Sequence, residues 1–286
     1  MTFAWIESHR HAFPVRAMCD TLDVSASGFY ACRVRRPGPR QRRREVLRKQ
    51  IAEVHVQTRG VYGSPQVHRD LAARGVRVCE NTVARLMRAD GLRSKRVKRF
   101  VPRTTESKHA FQVAQNLLDR DFKADSPNRK WVCDITYVPT QEGWLYLAAV
   151  LDLYSRKIVG WSMADHLRVT LVEEALKMAL ARRTPTGEVL HHSDRGVQYA
   201  CDDYQRLLKT HGLVCSMSRT GDCYDNAAME SFWSTLKTEL VHHAKFASRA
   251  EARRALFDYM EVFYNRQRRY SSIGYVSPET FEAALN

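Results

Sequence analysis

The sequence predicts an α/β domain preceded by an all-α, strongly basic region. Three observations carry this reading. Residues 1–110 hold 24 Lys and Arg against 9 Asp and Glu, whereas residues 111–286 hold 22 of each, so the whole net charge of +15 sits in the front of the chain. That front shows helix caps, helix stops and apolar residues at helical spacing. The rear opens with three closely spaced apolar runs and then alternates helix-like with strand-like segments.

Residues 1–44 read as a helical, helix-turn-helix-like segment ending in a basic linker. Val15–Leu22 forms one helix, and Ser25 caps a second over Ala26–Arg33. Pro37, Gly38 and Pro39 follow among arginines that include Arg40, Arg42, Arg43 and Arg44. Residues 45–107 carry a clearer helix-turn-helix. Ser64 is placed as N-cap with Pro65 at the first helical position, and the helix runs through Val67 and Leu71 to Gly75. A second helix starts near Glu80 and stops at Gly91, with Val83, Leu86 and Met87 on its inward face. Asn81, Thr82, Arg85 and Arg88 are left outside, the residue types that read base edges and phosphates in a major groove. The polar face of an ordinary helical bundle has the same composition, and that alternative stays open. Arg93, Lys95, Arg96, Lys98 and Arg99 then form a basic tail; Arg96 and Lys98 are candidates for the DNA backbone.

Residues 108–245 form the α/β core. After a connection over 108–127, strands at Trp131–Val138, Trp144–Leu151 and Lys157–Met163 make an antiparallel meander. A helix at Val169–Arg182, a strand at Glu188–His192, a helix from about Asp202 to Lys209, a strand at Leu213–Met217 and a long helix from about Asn226 to Val241 follow. Residues 246–286 are a C-terminal helical tail, with a helix from Ala250 to about Tyr264 and a basic turn.

Several function classes fall away. No apolar run reaches the roughly 18 residues of a membrane span, and the N-terminus lacks a secretory signal pattern. A cytoplasmic, nucleoid-associated bacterial protein is expected. The seven cysteines include no Cys-x-x-Cys pair, which argues against zinc sites and disulfides. A basic half beside a neutral half suits a polyanion partner, and double-stranded DNA is the natural one.

Three carboxylates stand out. Asp134 lies mid-strand in WVCDITYV, opposite in face to Trp131, Cys133, Ile135 and Tyr137. A charge there is costly unless it is paired or metal-bound. Asp194 follows a strand end in HHSDRGVQY, where α/β folds collect functional groups. Glu230 stands near the start of a long helix in DNAAMESFW. Carboxylate oxygens suit Mg²⁺, and a pair of such ions about 4 Å apart serves phosphoryl transfer. Taken singly, Asp194 reads equally as a turn residue and Glu230 as a solvated one.

Thirty-five residues separate Asp194 from Glu230. This resembles the Asp, Asp, 35-residue, Glu pattern of retroviral integrases and insertion-sequence transposases. WVCDITYV, HSDRGVQY, GDCYDNAAMESFWSTLK and YNRQRRYSSIGYVSP, with YGSPQVHRDL and VARLMRADGL in the basic half, are similar to the second-frame (OrfB-type) DDE transposases of the insertion-sequence-three family. The resemblance spans nearly the whole chain. It implies a ribonuclease-H-like mixed-sheet catalytic domain with Asp134, Asp194 and Glu230 as catalytic, metal-binding triad, holding two Mg²⁺ or Mn²⁺ ions. It also implies a basic residue seven positions after the Glu, here Lys237, which shares a helical face with Glu230 and holds a DNA phosphate. Asn226 falls on that face too and joins the DNA-contact candidates. His192 shares a strand face with Asp194 and either lines the site or packs there. Gln198 and Tyr199 have no defined role. Tyr270 stands where family members often carry His, which leaves its role open.

The reaction implied is metal-dependent hydrolysis at the element's end, then attack of the freed 3′-hydroxyl on another phosphodiester. Expected partners are the terminal inverted repeats, target DNA, further copies of the chain on DNA, and an upstream first-frame helix-turn-helix and leucine-zipper protein, separate or fused by frameshift. Two rival readings share these residues: a regulator of transposition without activity of its own, and a ribonuclease-H-fold nuclease.

Overall fold

The computed structural model describes residues 2–34, 38–95, 111–220 and 223–284, and two compact units divide the chain at 54/55. No helix among these residues is long and apolar enough to cross a membrane.

The first unit contains α1 (Thr2–His9), α2 (Val15–Thr21) and α3 (Ala26–Val34) around a small core of Ile6, Met18, Cys19 and Phe29. Ser25 Oγ accepts a hydrogen bond from Gly28 N at 3.0 Å, the N-cap expected of it. The basic linker expected after residue 36 is corrected. From Pro39 the chain is one long helix, α4 (Pro39–Gln57), and Arg40, Arg42, Arg43 and Arg44 stand exposed on it. Proline at the first turn costs no intrahelical bond, so Pro39 starts this helix instead of breaking it.

In the second unit, α5 (Ser64–Ala73) and α6 (Glu80–Ala89) bury Val67, Leu71, Val83, Leu86 and Met87. The N-cap of α5 is Gly63, and Ser64 is the first helical residue with no capping bond, one position from expectation. The sheet has the order β3-β2-β1-β4-β5. β1 (Lys130–Thr140), β2 (Gly143–Asp152) and β3 (Ile158–Ala164) are antiparallel, while β4 (Val189–Ser193) and β5 (Leu213–Met217) run parallel to β1 and to each other. The order and the mixed direction bear out the predicted fold class. The segment before β1 lies along β5, where Ser216 Oγ accepts from Leu117 N and Leu118 N.

One face of the sheet is covered by α7 (Val169–Arg183), with the short α8 (Val197–Ala200) and α9 (Asp202–Thr210). Trp131, Cys133, Ala148, Val150 and Val159 pack there against Leu171, Val172, Ala175 and Leu176 of α7. The other face, carrying Leu147, Ala149 and Leu151, meets α10 (Ala227–Glu239) and α11 (Arg249–Phe257). The C-terminal helix does not continue to Tyr264 as one α-helix. Asp258–Tyr264 widens into a π-helical segment, which turns Tyr259, Met260, Phe263 and Tyr264 inward together. Asn265, just after it, pairs with edge strand β3: its Nδ2 donates to Ile158 O and its Oδ1 accepts from Ile158 N, both at 2.9 Å. The tail then runs to α12 (Pro278–Ala283), whose Glu282 takes two hydrogen bonds from Arg183.

Candidate active site

The site forms where β1 outlasts its neighbour. Parallel pairing with β4 runs through Trp131–His191 and Val132–His192, and β4 ends at Ser193. Two residues further along that register, Asp134 on β1 comes level with Asp194 in the loop. Gly196 N donates to Asp194 Oδ1 at 2.9 Å. A side chain at Gly196 would put its Cβ 3.0 Å from that oxygen and 3.1 Å from Gln198 Oε1, so the loop closes around the carboxylate only with glycine there.

Glu230 lies in the first turn of α10. Trp233 and Lys237, three and seven residues on, extend the same helical stripe. Trp233 Nε1 donates to Asp134 Oδ2 at 2.9 Å, tying α10 to β1 at the carboxylate itself. Lys237 Nζ sits 5.1 Å from the centre of the Tyr137 ring.

The surroundings shift the protonation of these groups. Burial raises the Asp134 carboxyl to about 8, Asp194 and Glu230 add to the rise, and the Ile135 amide and Trp233 indole oppose it. Burial also raises Glu230, although the residue as a whole is exposed. Lys237 is lowered by burial, an effect that Asp134 counters. Carboxylates from a loop and a helix thus act on the half-buried strand acid Asp134, an arrangement that a divalent cation would relieve. Among the described residues no group of three or more His, Cys, Asp or Glu side chains converges on a single ion position.

Other expected residues fall elsewhere. Asn226 is buried, with Nδ2 donating to Cys133 O at 3.1 Å, and it braces the start of α10 against β1. It closes a 3-10 turn over Cys223–Asn226 that leads into the helix. His192 packs, with ring nitrogens 2.8 Å from Ser216 Oγ and 3.1 Å from Ser218 Oγ; burial lowers it to about 4. Tyr199 lies in the core, and Gln198 Nε2 donates to Leu167 O. The Tyr270 hydroxyl is 3.2 Å from Ser231 Oγ, beside Glu230 in sequence. Asn81, Arg85 and Arg88 are exposed on α6, and Thr82 is half-buried with its hydroxyl 3.1 Å from Cys79 Sγ. Arg96 and Lys98 lie outside the described residues.

Two supports escaped the sequence reading. Trp233 was findable from its spacing to Glu230 and Lys237. Asp225 was not: it is fully buried, held well below the usual carboxylate range by Arg219, and its partner lies across a loop.

Comparison with known proteins follows the same lines. Residues 124–223 and 211–278 match integrase core domain families, and residues 41–100 match an HTH-like domain family. The transposase InsF of insertion sequence IS3A from Escherichia coli K12 is 44% identical over 284 residues, covering 99% of this chain and 98% of the relative. The chain belongs to the IS3 family of transposases. A 31 kDa protein of insertion element IS600 from Shigella sonnei is 44% identical over 264 residues, covering 92% of this transposase and 97% of that protein. Among solved structures, a simian T-cell lymphotropic virus intasome chain overlays with a TM-score of 0.46 at 14% identity, covering 81% of this chain and 74% of its own. The HTLV-2 integrase catalytic core gives a TM-score of 0.42 at 13% identity, covering 56% of this chain and 99% of its own. By its family matches, the transposase joins a helix-turn-helix-like, DNA-binding front to an integrase core.

Proposed function

We propose that Asp134, Asp194 and Glu230 are the catalytic carboxylates of this transposase, and that they act on the ends of its element with two Mg²⁺ or Mn²⁺ ions. The observation that carries this is the strand register that brings Asp134 level with Asp194, with Trp233 of the Glu230 helix donating to Asp134 Oδ2. Asp134, Asp194 and Glu230 would hold the ions, since carboxylate oxygens suit them, and the ions would supply Lewis acidity to the phosphodiester.

The chain's own groups do the rest. Trp233 fixes the rotamer of Asp134 through its indole N–H. Gly196 N holds the Asp194 carboxylate. Lys237 offers a point charge to a DNA phosphate beside Asp134. In the first step water attacks the scissile phosphorus and gives up a proton to solvent, while the P–O3′ bond breaks and the leaving oxygen takes a proton from solvent to become the 3′-hydroxyl. In the second, that hydroxyl attacks another phosphodiester and displaces a new 3′-oxygen. Asn81, Thr82, Arg85 and Arg88 on α6 read or grip the terminal repeat, with Arg96 and Lys98 on the backbone. An upstream first-frame protein and further copies of the chain complete the assembly on DNA.

The test is to incubate the chain, with and without the upstream partner, with terminal-repeat DNA and Mg²⁺. Joined ends that disappear with chelator support the proposal. Cleavage of RNA–DNA hybrids without any joining would instead favour a ribonuclease-H-type nuclease.

A further inference from the structure

Tyr137 and Trp144 are large aromatic residues left 48% and 49% exposed at the β1–β2 turn, three residues along β1 from Asp134 in the case of Tyr137. Their rings meet edge to face, 5.0 Å between centres. They sit on opposite sides of the tight turn that joins β1 to β2, in the diagonal relation that lets large side chains touch. Isolated exposed apolar residues need no explanation, but a paired, positioned set does.

The turn that carries them is held from several directions. Gln141 N donates to Phe246 O at 3.0 Å, and Thr140 Oγ1 donates to Gly143 O at 2.6 Å. Glu142 accepts from Arg249 N at 2.8 Å, while Arg249 Nε donates to Trp144 O at 3.0 Å. The rings thus stand on a fixed scaffold, so a ligand that covers them loses little further entropy on binding. Lys237 Nζ, 5.1 Å from the Tyr137 ring centre, gives this surface a positive charge on the side facing Asp134.

We propose that Tyr137, Trp144 and Lys237 form a stacking platform for a nucleobase unpaired from the DNA end that is being processed. Aromatic faces accept any base, and the ammonium group meets the phosphate attached to it. A protein partner covering the rings would have no use for a cation shared with the catalytic carboxylates. The platform gives the end a place to open: a base captured there lifts its strand from the duplex and frees the scissile phosphate to approach Asp134. This rests on the catalytic reading above, and the test separates the two.

The full chain carrying Glu230→Gln is bound to terminal-repeat DNA bearing 5-iodo-2′-deoxyuridine at each of the last three positions in turn, irradiated, and the adduct mapped by mass spectrometry. Adducts on Tyr137 or Trp144 are expected, with or without catalysis; adducts only elsewhere, or none, overturn the platform. In parallel, Tyr137→Ala with Trp144→Ala is assayed on fully paired ends and on ends whose last two pairs are mismatched. A loss of about tenfold on paired ends, the size of one base–aromatic stack, is expected to be recovered on mismatched ends. An equal loss on both substrates shows a structural role only and overturns the proposal. If wild-type protein joins no ends even with the upstream partner while the adducts form, the catalytic reading fails and the platform stands.

Discussion

Asp134 is held against its own chemistry. Burial and two neighbouring carboxylates keep its proton on up to about pH 8, against about 3.9 in an unfolded chain. The folded state therefore binds more protons than the unfolded state between these values, and metal-free stability falls as pH rises through that window. Asp134→Asn removes the dependence, while its amide oxygen still accepts from Trp233. Thermal unfolding without metal should then show the variant more stable than wild type near pH 8 and little different near pH 4. Mg²⁺ should raise the wild-type midpoint more at pH 8.5 than at pH 6, because the bound form needs the carboxylates ionised. A pH-independent wild type would refute this account of the site. Asp134 stood out in the sequence because a lone acid in an apolar strand has few other uses, whereas Glu230 stood out only through its spacing to Asp194. The burial of Asn226 was not legible, because helical phase alone cannot show that a 3-10 turn precedes the helix.

Elements hold that site through two contacts. At Gly160 in β3, a Cβ would lie 2.2 Å from Ala175 O and 2.8 Å from Ala179 Cβ, so α7 packs directly on the strand backbone. Gly160→Ala should lower the unfolding free energy by about 3 kcal/mol, the upper range for overpacking, as measured by denaturant titration. The end of α10 is fixed by Glu239, which is buried and takes three hydrogen bonds from Arg268 and one from the Tyr259 hydroxyl. Arg268→Met strands that carboxylate and should cost about 3–5 kcal/mol. Replacing Glu239 together with Arg268 by apolar residues should recover much of it. The strands were readable to within a residue or two because continuous apolar runs and the turn residues between them agree. The π-helical segment was not, since its sequence continues an α-helical pattern and only the packing of Tyr259, Phe263 and Tyr264 selects the wider turn.

Across the second unit, the helix-turn-helix is tied to the catalytic core by the C-terminal tail. Arg269 N donates to Tyr62 Oη at 2.7 Å, Arg269 Nε reaches Asp70 Oδ1 at 3.1 Å, and Lys95 Nζ donates to Glu239 O at 2.9 Å. Helices α6 and α10 thus lie in the same compact unit. Nothing in local periodicity announces such contacts, which join residues 144 to 207 positions apart, whereas the charge division was plain from counting. That division has its own consequence. Arg85→Ala or Arg88→Ala should each weaken DNA binding by about tenfold and flatten its salt dependence by about one unit of slope if a phosphate contact is lost. Filter binding over a salt series reads both; an unchanged slope with weaker binding assigns the residue to base contact instead.

The central claim is that three carboxylates from a strand, a loop and a helix form one catalytic site. Asp134→Asn, Asp194→Asn and Glu230→Gln should therefore be compared singly with wild type for joining of terminal-repeat DNA in Mg²⁺, with DNA retention measured on the same preparations. The expected result is that each variant retains DNA as wild type does and yields no joined product. Wild-type joining by any one of the three would contradict the account.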